Sequence, residues 1–99
     1  FAANNFLAIG ALKAIQNCDL SVPEDVALVG FDDLPPALVT FPFLTVASQP
    51  AYEMAQKATH LLLSRIEGTG PDDFQEIILP TELIVRHSSG LAINRKREP

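Results

Sequence analysis

The chain has 99 residues, of which 47% are hydrophobic and 19% are charged, and its formal net charge is −5. This length allows one compact piece with a small core, and the composition excludes an intrinsically disordered segment. The acidic balance argues against direct binding of nucleic acid, and no apolar run reaches the roughly 18 residues of a membrane span, so we expect no membrane partner.

The first residues, FAANNFLAIG, start without methionine and resemble the end of a strand that leads into a helix. We therefore expect further residues upstream. Asn4 or Asn5 suits the N-cap, because its side chain can accept a hydrogen bond from the first-turn amides. Residues 6–16 have helical spacing, and apolar residues lie on most sides of this helix. The pattern predicts burial on two sides, by a sheet and by a neighbour or second subunit. The main stripe comprises Leu7, Ala11, Ala14 and Ile15, and Phe6 and Ile9 lie off it.

Residues 26–31, VALVGF, form an apolar run that does not alternate with polar residues. Such a run predicts a strand that is covered on both faces, as in a parallel sheet. Strand, helix and strand within about 30 residues make a βαβ unit, so the predicted fold class is α/β.

A short strand is predicted at residues 44–48, followed by a helix at 51–67 with Pro50 at its first position. The helix has one polar side and one apolar stripe, on which we expect Met54 to be a core residue. Residues 76–86 resemble a strand, but Pro80 interrupts them and marks an edge, a bend or a crossing between layers.

Polar side chains follow the two predicted parallel strands, at the point where each strand ends. Asn4 follows the first strand, and Asp32 and Asp33 follow the second. Ligands of open parallel sheets bind beyond these carboxyl ends, and a carboxylate with an amide can bind vicinal hydroxyls or a purine edge. The alternatives are structural: the aspartates can cap the turn before Pro35, and Asn4 can serve only as an N-cap.

No catalytic motif is present, and Asp32 and Asp33 would point to opposite faces of an extended segment. No metal-ligand spacing joins the histidines or the single cysteine. We therefore expect no catalytic residue, no cofactor and no metal, and the chain is predicted not to be an enzyme.

Four segments in order carry a family resemblance: FAANNFLAIGALKAI, VPEDVALVGFDDLP, FPFLTVASQPAYEMAQKATHLLLSRI and ILPTELIVRHSSG. Together they resemble the C-terminal part of the LacI/GalR transcriptional regulators, over nearly the whole chain up to about Gly90. The resemblance implies a periplasmic-binding-protein-like fold with two subdomains and a small-molecule effector, often a sugar or a nucleobase, in the cleft between them. It also implies a cytoplasmic bacterial homodimer that binds operator DNA only through a headpiece that is not in this chain.

The resemblance also implies roles for individual residues. Asn4 and Asp32 match effector contacts of the family, and Gln49 and Ala51 lie where some members add contacts. Asn5 stands where the family usually has aspartate. The implied dimer interface comprises Leu7, Ile9, Val39, Thr40 and Phe41.

The implied organisation has four segments. Residues 1–49 belong to the C-terminal subdomain, with the effector cleft and the dimer interface. Residues 50–79 form a crossover and a helix of the N-terminal subdomain, 80–90 return as a crossover strand, and 91–99 form a tail. A solute-binding protein of a sugar transport system is the alternative, because it shares the fold and binds sugars in the same way.

Overall fold

The computed structural model describes residues 1–34 and 42–90, which form two compact units. The first unit combines the residues before Gln49 with those from Glu82 onward, and the second is Gln49–Thr81. The assignment of these segments to two subdomains of a larger domain stays a prediction. The elements of the first unit are α1 (Asn5–Asn17), β1 (Val29–Phe31), β2 (Thr45–Ser48), β3 (Glu82–Ile84) and a 3-10 turn, His87–Ser89.

The sheet of the first unit has the order β1, β2, β3. Strands β1 and β2 are parallel, with Val29 opposite Thr45. Ala2 forms a parallel bridge with Gly30 on the other side of β1. The α/β class is therefore confirmed, with a parallel bridge at Ala2 before α1 and the parallel strand β1 after it. Strand β3 runs antiparallel to β2, so the sheet as a whole is mixed.

Helix α1 begins at the predicted cap, because the Asn4 Oδ1 accepts a hydrogen bond of 2.9 Å from the Leu7 amide. Its inner face packs on the core formed by Ala2, Leu28, Leu44 and Val46. The residues on this face are Ala8, Ala11, Leu12 and Ile15. The predicted stripe was wrong in two members, because Leu7 and Ala14 lie outside this face, where Leu7 is 55% exposed and Ala14 is also exposed.

Strand β1 is shorter than the predicted 26–31. Before it, the chain closes a turn in which the Asp25 carboxylate accepts from the Ser21 amide at 2.8 Å. The Val26 amide also bonds back to the Ser21 carbonyl, and Leu28 pairs with Ser88 instead of a strand. Over residues 26–28, hydrogen bonds within the turn and with the distant Ser88 thus replace the strand-to-strand hydrogen bonds of a sheet.

The region around Pro80 behaves as a break in the strand pattern. Only Glu82–Ile84 form a strand, β3, and residues 76–78 before the proline are exposed. Proline has no amide hydrogen for the ladder, so pairing with β2 begins after it.

The second unit is built on helix α2 (Ala51–Glu67), with the bounds that the sequence pattern predicts. Pro50 is its N-cap residue, and Gly68 ends it in the left-handed conformation. Met54 is 44% exposed, so its predicted core position was wrong for this chain. None of the α2 residues is buried, although the short segment that contains Ile77 and Leu79 lies beside the helix within its own unit.

Ser88 links three parts of the first unit. It is fully buried, and its hydroxyl accepts from the Thr45 amide at 2.7 Å and donates to the Leu28 carbonyl at 2.6 Å. Its own amide donates to the Phe43 carbonyl, and its carbonyl accepts from the Leu28 amide. The 3-10 turn is thereby joined to both parallel strands.

We expect Ser88→Ala to destabilise the protein by about 1–3 kcal/mol, because it leaves a buried amide and a buried carbonyl without their partner. The shift of the urea unfolding midpoint measures this. Ser64→Ala is the matched control, since the Ser64 hydroxyl donates to the Leu61 carbonyl of its own helix. Equal shifts for the two variants would contradict the bridging role of Ser88.

Candidate functional site

The carboxyl ends of the parallel strands meet at one edge of the sheet. Ala2 pairs with Gly30, so Asn4 and Asp32 each lie two residues beyond a paired position. The pairing of Phe31 with Ala47 places the next residue of β2, Ser48, at the level of Asp32. The structure therefore brings Asn4 and Asp32 to the same edge, as the sequence predicts.

Asp32 adopts a backbone conformation that is unusual for a residue with a side chain. Its φ is +71°, in the left-handed region, and its amide donates to the Ala47 carbonyl at 2.9 Å. Aspartate tolerates this region better than most residues, but the conformation costs energy and often occurs at functional sites. The turn carries Asp32 out of the strand direction directly at the sheet edge.

Asn4 is both a cap and a candidate ligand contact. Its Oδ1 is bonded to the Leu7 amide, so the structural alternative from the sequence is correct for that atom. The side-chain amide nitrogen, Nδ2, is a donor and is the group through which Asn4 would bind a ligand oxygen.

Gln49 and Ala51 belong to the second unit, whereas Asn4 and Asp32 belong to the first. Gln49 is half-buried and precedes α2, and its carbonyl accepts from the Ala51 amide at 2.9 Å. Ala51 is the first residue of α2. Their roles in ligand binding stay predictions.

Asp33 is held in an ion pair within the first unit. Its two carboxylate oxygens accept from Nη1 and Nη2 of Arg86 at 2.7 and 2.8 Å. The Leu34 amide donates to the same carboxylate at 2.9 Å, which is the turn-capping role that the sequence allowed. Asp33 thus supports the loop, whereas Asp32 at the sheet edge remains the predicted ligand contact.

Comparisons with known proteins agree with this architecture. A family profile described as "Periplasmic binding protein-like domain" matches residues 1–89. The transcriptional regulator MalR of Streptomyces coelicolor is 39% identical over 97 residues, which are 98% of this chain and 28% of that protein. The lactose operon repressor of Rhizobium radiobacter is 40% identical over 88 residues, which are 89% of this chain and 76% of that sequence.

Two solved structures of LacI family regulators have the same fold. The regulator of Enterococcus faecium with bound ribose superposes with a TM-score of 0.77 at 31% identity, over 90% of this chain and 33% of that one. The Arthrobacter regulator in complex with lactose gives a TM-score of 0.70 at 29% identity, over 88% and 33%.

The chain belongs to the periplasmic binding protein-like domain family. Within that family it is part of an effector-binding domain of the LacI type. It spans 28% of the length of the MalR relative and about a third of the two solved chains.

Two features of this LacI-type domain were not predicted from the sequence. Glu82 lies opposite Ser48 at the same sheet edge, because β3 runs antiparallel to β2. Arg86 is the ion-pair partner of Asp33. A lone arginine directly after the apolar residues Leu83, Ile84 and Val85 is the available signal for a partly buried, paired charge.

The predicted dimer residues are described only in part. Leu7 and Ile9 are 55% and 40% exposed on α1, and Phe6 between them around the helix is 79% exposed. Val39, Thr40 and Phe41 lie outside the described residues. The exposed apolar residues of α1 are consistent with burial by a further surface.

Within residues 1–34 and 42–90, no three histidine, cysteine, aspartate or glutamate side chains are grouped so that they could hold a metal ion. For the same part of the chain, none of the helices is long and apolar enough to span a membrane.

The Arg86 guanidinium holds the pKa of Asp33 below its usual value of 3.8, mainly through their hydrogen bonds, and partial burial opposes this effect. The same hydrogen bonds raise the pKa of Arg86. A lowered folded-state pKa means that the pair stabilises the fold above the unfolded-state value. This stabilisation is lost as the pH falls through the folded-state pKa.

We therefore expect Asp33→Asn to lower the urea unfolding midpoint most at about pH 7, where Asp33 is ionised in both states. The difference from the wild type should shrink as the pH falls below 3.8, because the unfolded wild-type chain then takes up a proton and the ionic contribution declines. Asp72→Asn, in the exposed loop after α2, is the control. A difference that does not change with pH would contradict the ionic contribution of the pair.

Proposed function

We propose that this chain is the effector-binding and dimerisation part of a bacterial LacI-type transcriptional regulator. The regulator would bind a small metabolite between two subdomains and would bind operator DNA through a headpiece outside this chain. Such a protein works in the cytoplasm, where the operator is accessible. We assign it no catalytic activity and no cofactor.

The conformation and position of Asp32 carry this proposal. A left-handed aspartate follows a strand that is buried at its centre, and Asn4 lies at the same level on the neighbouring segment. A carboxylate can accept two hydroxyl hydrogen bonds, and the Asn4 amide can donate to a third oxygen. This is the recognition chemistry of a polyol, so we assign a sugar as the effector in preference to a nucleobase.

The relatives support a regulator over a solute-binding protein. A ribose operon repressor is 36% identical to this chain, and a lactose operon repressor is 40% identical to it. One solved LacI family regulator contains bound ribose, and another contains lactose. Gln49 and Ala51, which precede and begin α2, are assigned as additional effector contacts.

The exposed apolar side of α1 supports dimerisation. Phe6, Leu7 and Ile9 expose 40–79% of their surface, although they belong to the helix whose opposite face forms the core. Exposed apolar clusters of this kind usually mark an interface. A structural relative is described as a dimeric Lac repressor, and we assign α1 with residues 39–41 to the homodimer interface.

In the intact regulator, Asp32→Ala should weaken sugar binding at least about ten-fold, which corresponds to about 1.4 kcal/mol. The reason is the loss of a charge-assisted hydrogen bond to the ligand. Isothermal titration with ribose, lactose and arabinose provides the affinity. Operator binding without sugar should change little.

Asp19→Ala is the matched control, because Asp19 is also an aspartate at positive φ, 56°, in the loop after α1. Both variants place alanine in the left-handed region, so both carry the same kind of backbone strain. Only Asp32→Ala should reduce the sugar affinity. An unchanged affinity in Asp32→Ala would refute the assignment of this site.

For the interface, we expect Leu7→Glu to raise the dimer dissociation constant at least about ten-fold, because it places a charge in an apolar contact. Leu7 is the third residue after the cap Asn4. Glutamate is favourable at this position near the positive end of a helix dipole, so α1 itself should remain intact.

Sedimentation equilibrium of the intact protein measures the dissociation constant. Gln56→Glu is the control, since it adds the same charge at an exposed position of α2, outside the assigned interface. A dimer that is equally stable in both variants would show that α1 does not form the interface.

A further inference from the structure

The left-handed turn at Asp32 has to be held in place by its surroundings. A residue with a Cβ is unfavourable at a φ of +71°, and no glycine relieves the strain. The first of its holding contacts is the bond from the Asp32 amide to the Ala47 carbonyl of β2, at 2.9 Å. This bond lies on the strand side of the turn.

The second holding contact lies on the loop side and belongs to the next residue. The Asp33 carboxylate receives both arms of the Arg86 guanidinium at 2.7 and 2.8 Å. The parallel two-bond geometry fixes the direction of the carboxylate as well as its distance. Asp32 is therefore bounded on one side by β2 and on the other by Arg86.

Arg86 is itself fixed by contacts with Thr45 of β2 and with Leu44, the residue that directly precedes β2. Its Nη1 also donates to the Leu44 carbonyl at 3.0 Å. Its amide donates to the Thr45 Oγ1 at 2.8 Å, and its carbonyl accepts from the same hydroxyl at 3.0 Å. The guanidinium is thus presented to Asp33 from a backbone that is bonded to the buried strand.

We propose that Arg86 is a positioning residue for effector recognition: through Asp33 it holds the left-handed turn that places Asp32 at the sheet edge. The inference rests on the proposed function for its claim that Asp32 contacts the effector. Arg86 itself need not touch the ligand. The Arg86 charge also offsets that of Asp33, so two adjacent carboxylates can be held in one turn.

The planar fork of arginine is required for this role. Lysine keeps the charge but cannot donate to both carboxylate oxygens and to the Leu44 carbonyl in one plane. Arg86→Lys therefore tests the geometry separately from the charge, and Asp33→Asn tests the other partner of the pair.

The first test measures amide hydrogen exchange by NMR in the intact protein, without any ligand. The Asp32 amide reports on the turn, and the Leu28 amide, bonded to Ser88, reports on the unit as a whole. We expect Arg86→Lys and Asp33→Asn to accelerate exchange at Asp32 at least about ten-fold more than at Leu28. Equal acceleration at both amides would show that the pair is only a general stabiliser and would overturn the proposal.

Asp25→Asn is the control for this measurement. The Asp25 carboxylate also accepts a backbone hydrogen bond, from Ser21 at 2.8 Å, but in the turn that precedes β1. Loss of the Asp25 carboxylate should not accelerate amide exchange selectively at Asp32. Selective acceleration in this control would also contradict the proposal, because the effect would then not be specific to the ion pair.

The second test is titration of the same variants with ribose, lactose and arabinose. Weaker binding in Asp32→Ala, Arg86→Lys and Asp33→Asn alike supports the positioning role. Weaker binding in Asp32→Ala alone overturns it while the proposed function stands. If Asp32→Ala binds as the wild type does, the proposed site fails, and hydrogen exchange alone decides whether Arg86 holds the turn.

Discussion

The hydrogen bonds of Ser88 are the interaction on which the first unit depends. The described strands have only three or four residues each, and the buried apolar core comprises five side chains, two of them alanine. A core of this size contributes little by itself. Ser88 is bonded to Leu28, Phe43 and Thr45, which precede or begin the two parallel strands. Each of these residues lies more than 40 positions before Ser88 in the sequence. A fully buried hydroxyl with both partners in place thus supplies connections that longer strands would make through their ladder.

The same polar cluster extends from the core to the sheet edge. The Thr45 hydroxyl lies between the Arg86 amide and carbonyl and contacts the Ser89 hydroxyl at 2.7 Å. Arg86 in turn holds Asp33, and Asp33 adjoins Asp32. None of the buried side-chain nitrogen or oxygen atoms in the described part of the chain lacks a partner. A satisfied network of this kind is rigid, and rigidity at its outer end is what a binding aspartate needs.

The elements that follow from local signals were predictable from the sequence, and those that follow from distant contacts were not. Helix α2 has the predicted bounds because Pro50 and Gly68 define its ends locally. Asn4 and Asp32 were predicted at one edge because parallel strands end on the same side. The length of β1 was wrong, since Leu28 pairs with a serine 60 residues away. Arg86 was missed for the same reason, being 53 residues from Asp33. Met54 was misplaced because its apolar stripe needs a surface that the described residues do not provide.

Asn4 connects the two functions that are proposed for the first unit. Its Oδ1 caps α1 through the Leu7 amide, and Leu7 belongs to the exposed apolar side of that helix. The amide group is planar, so a ligand that bonds to Nδ2 also constrains the direction of Oδ1. An effector bound at the sheet edge would therefore act on the first turn of α1 as well as on Asp32. In the proposed function, the effector contact and the dimer helix would thus share the side chain of Asn4, which adjoins both.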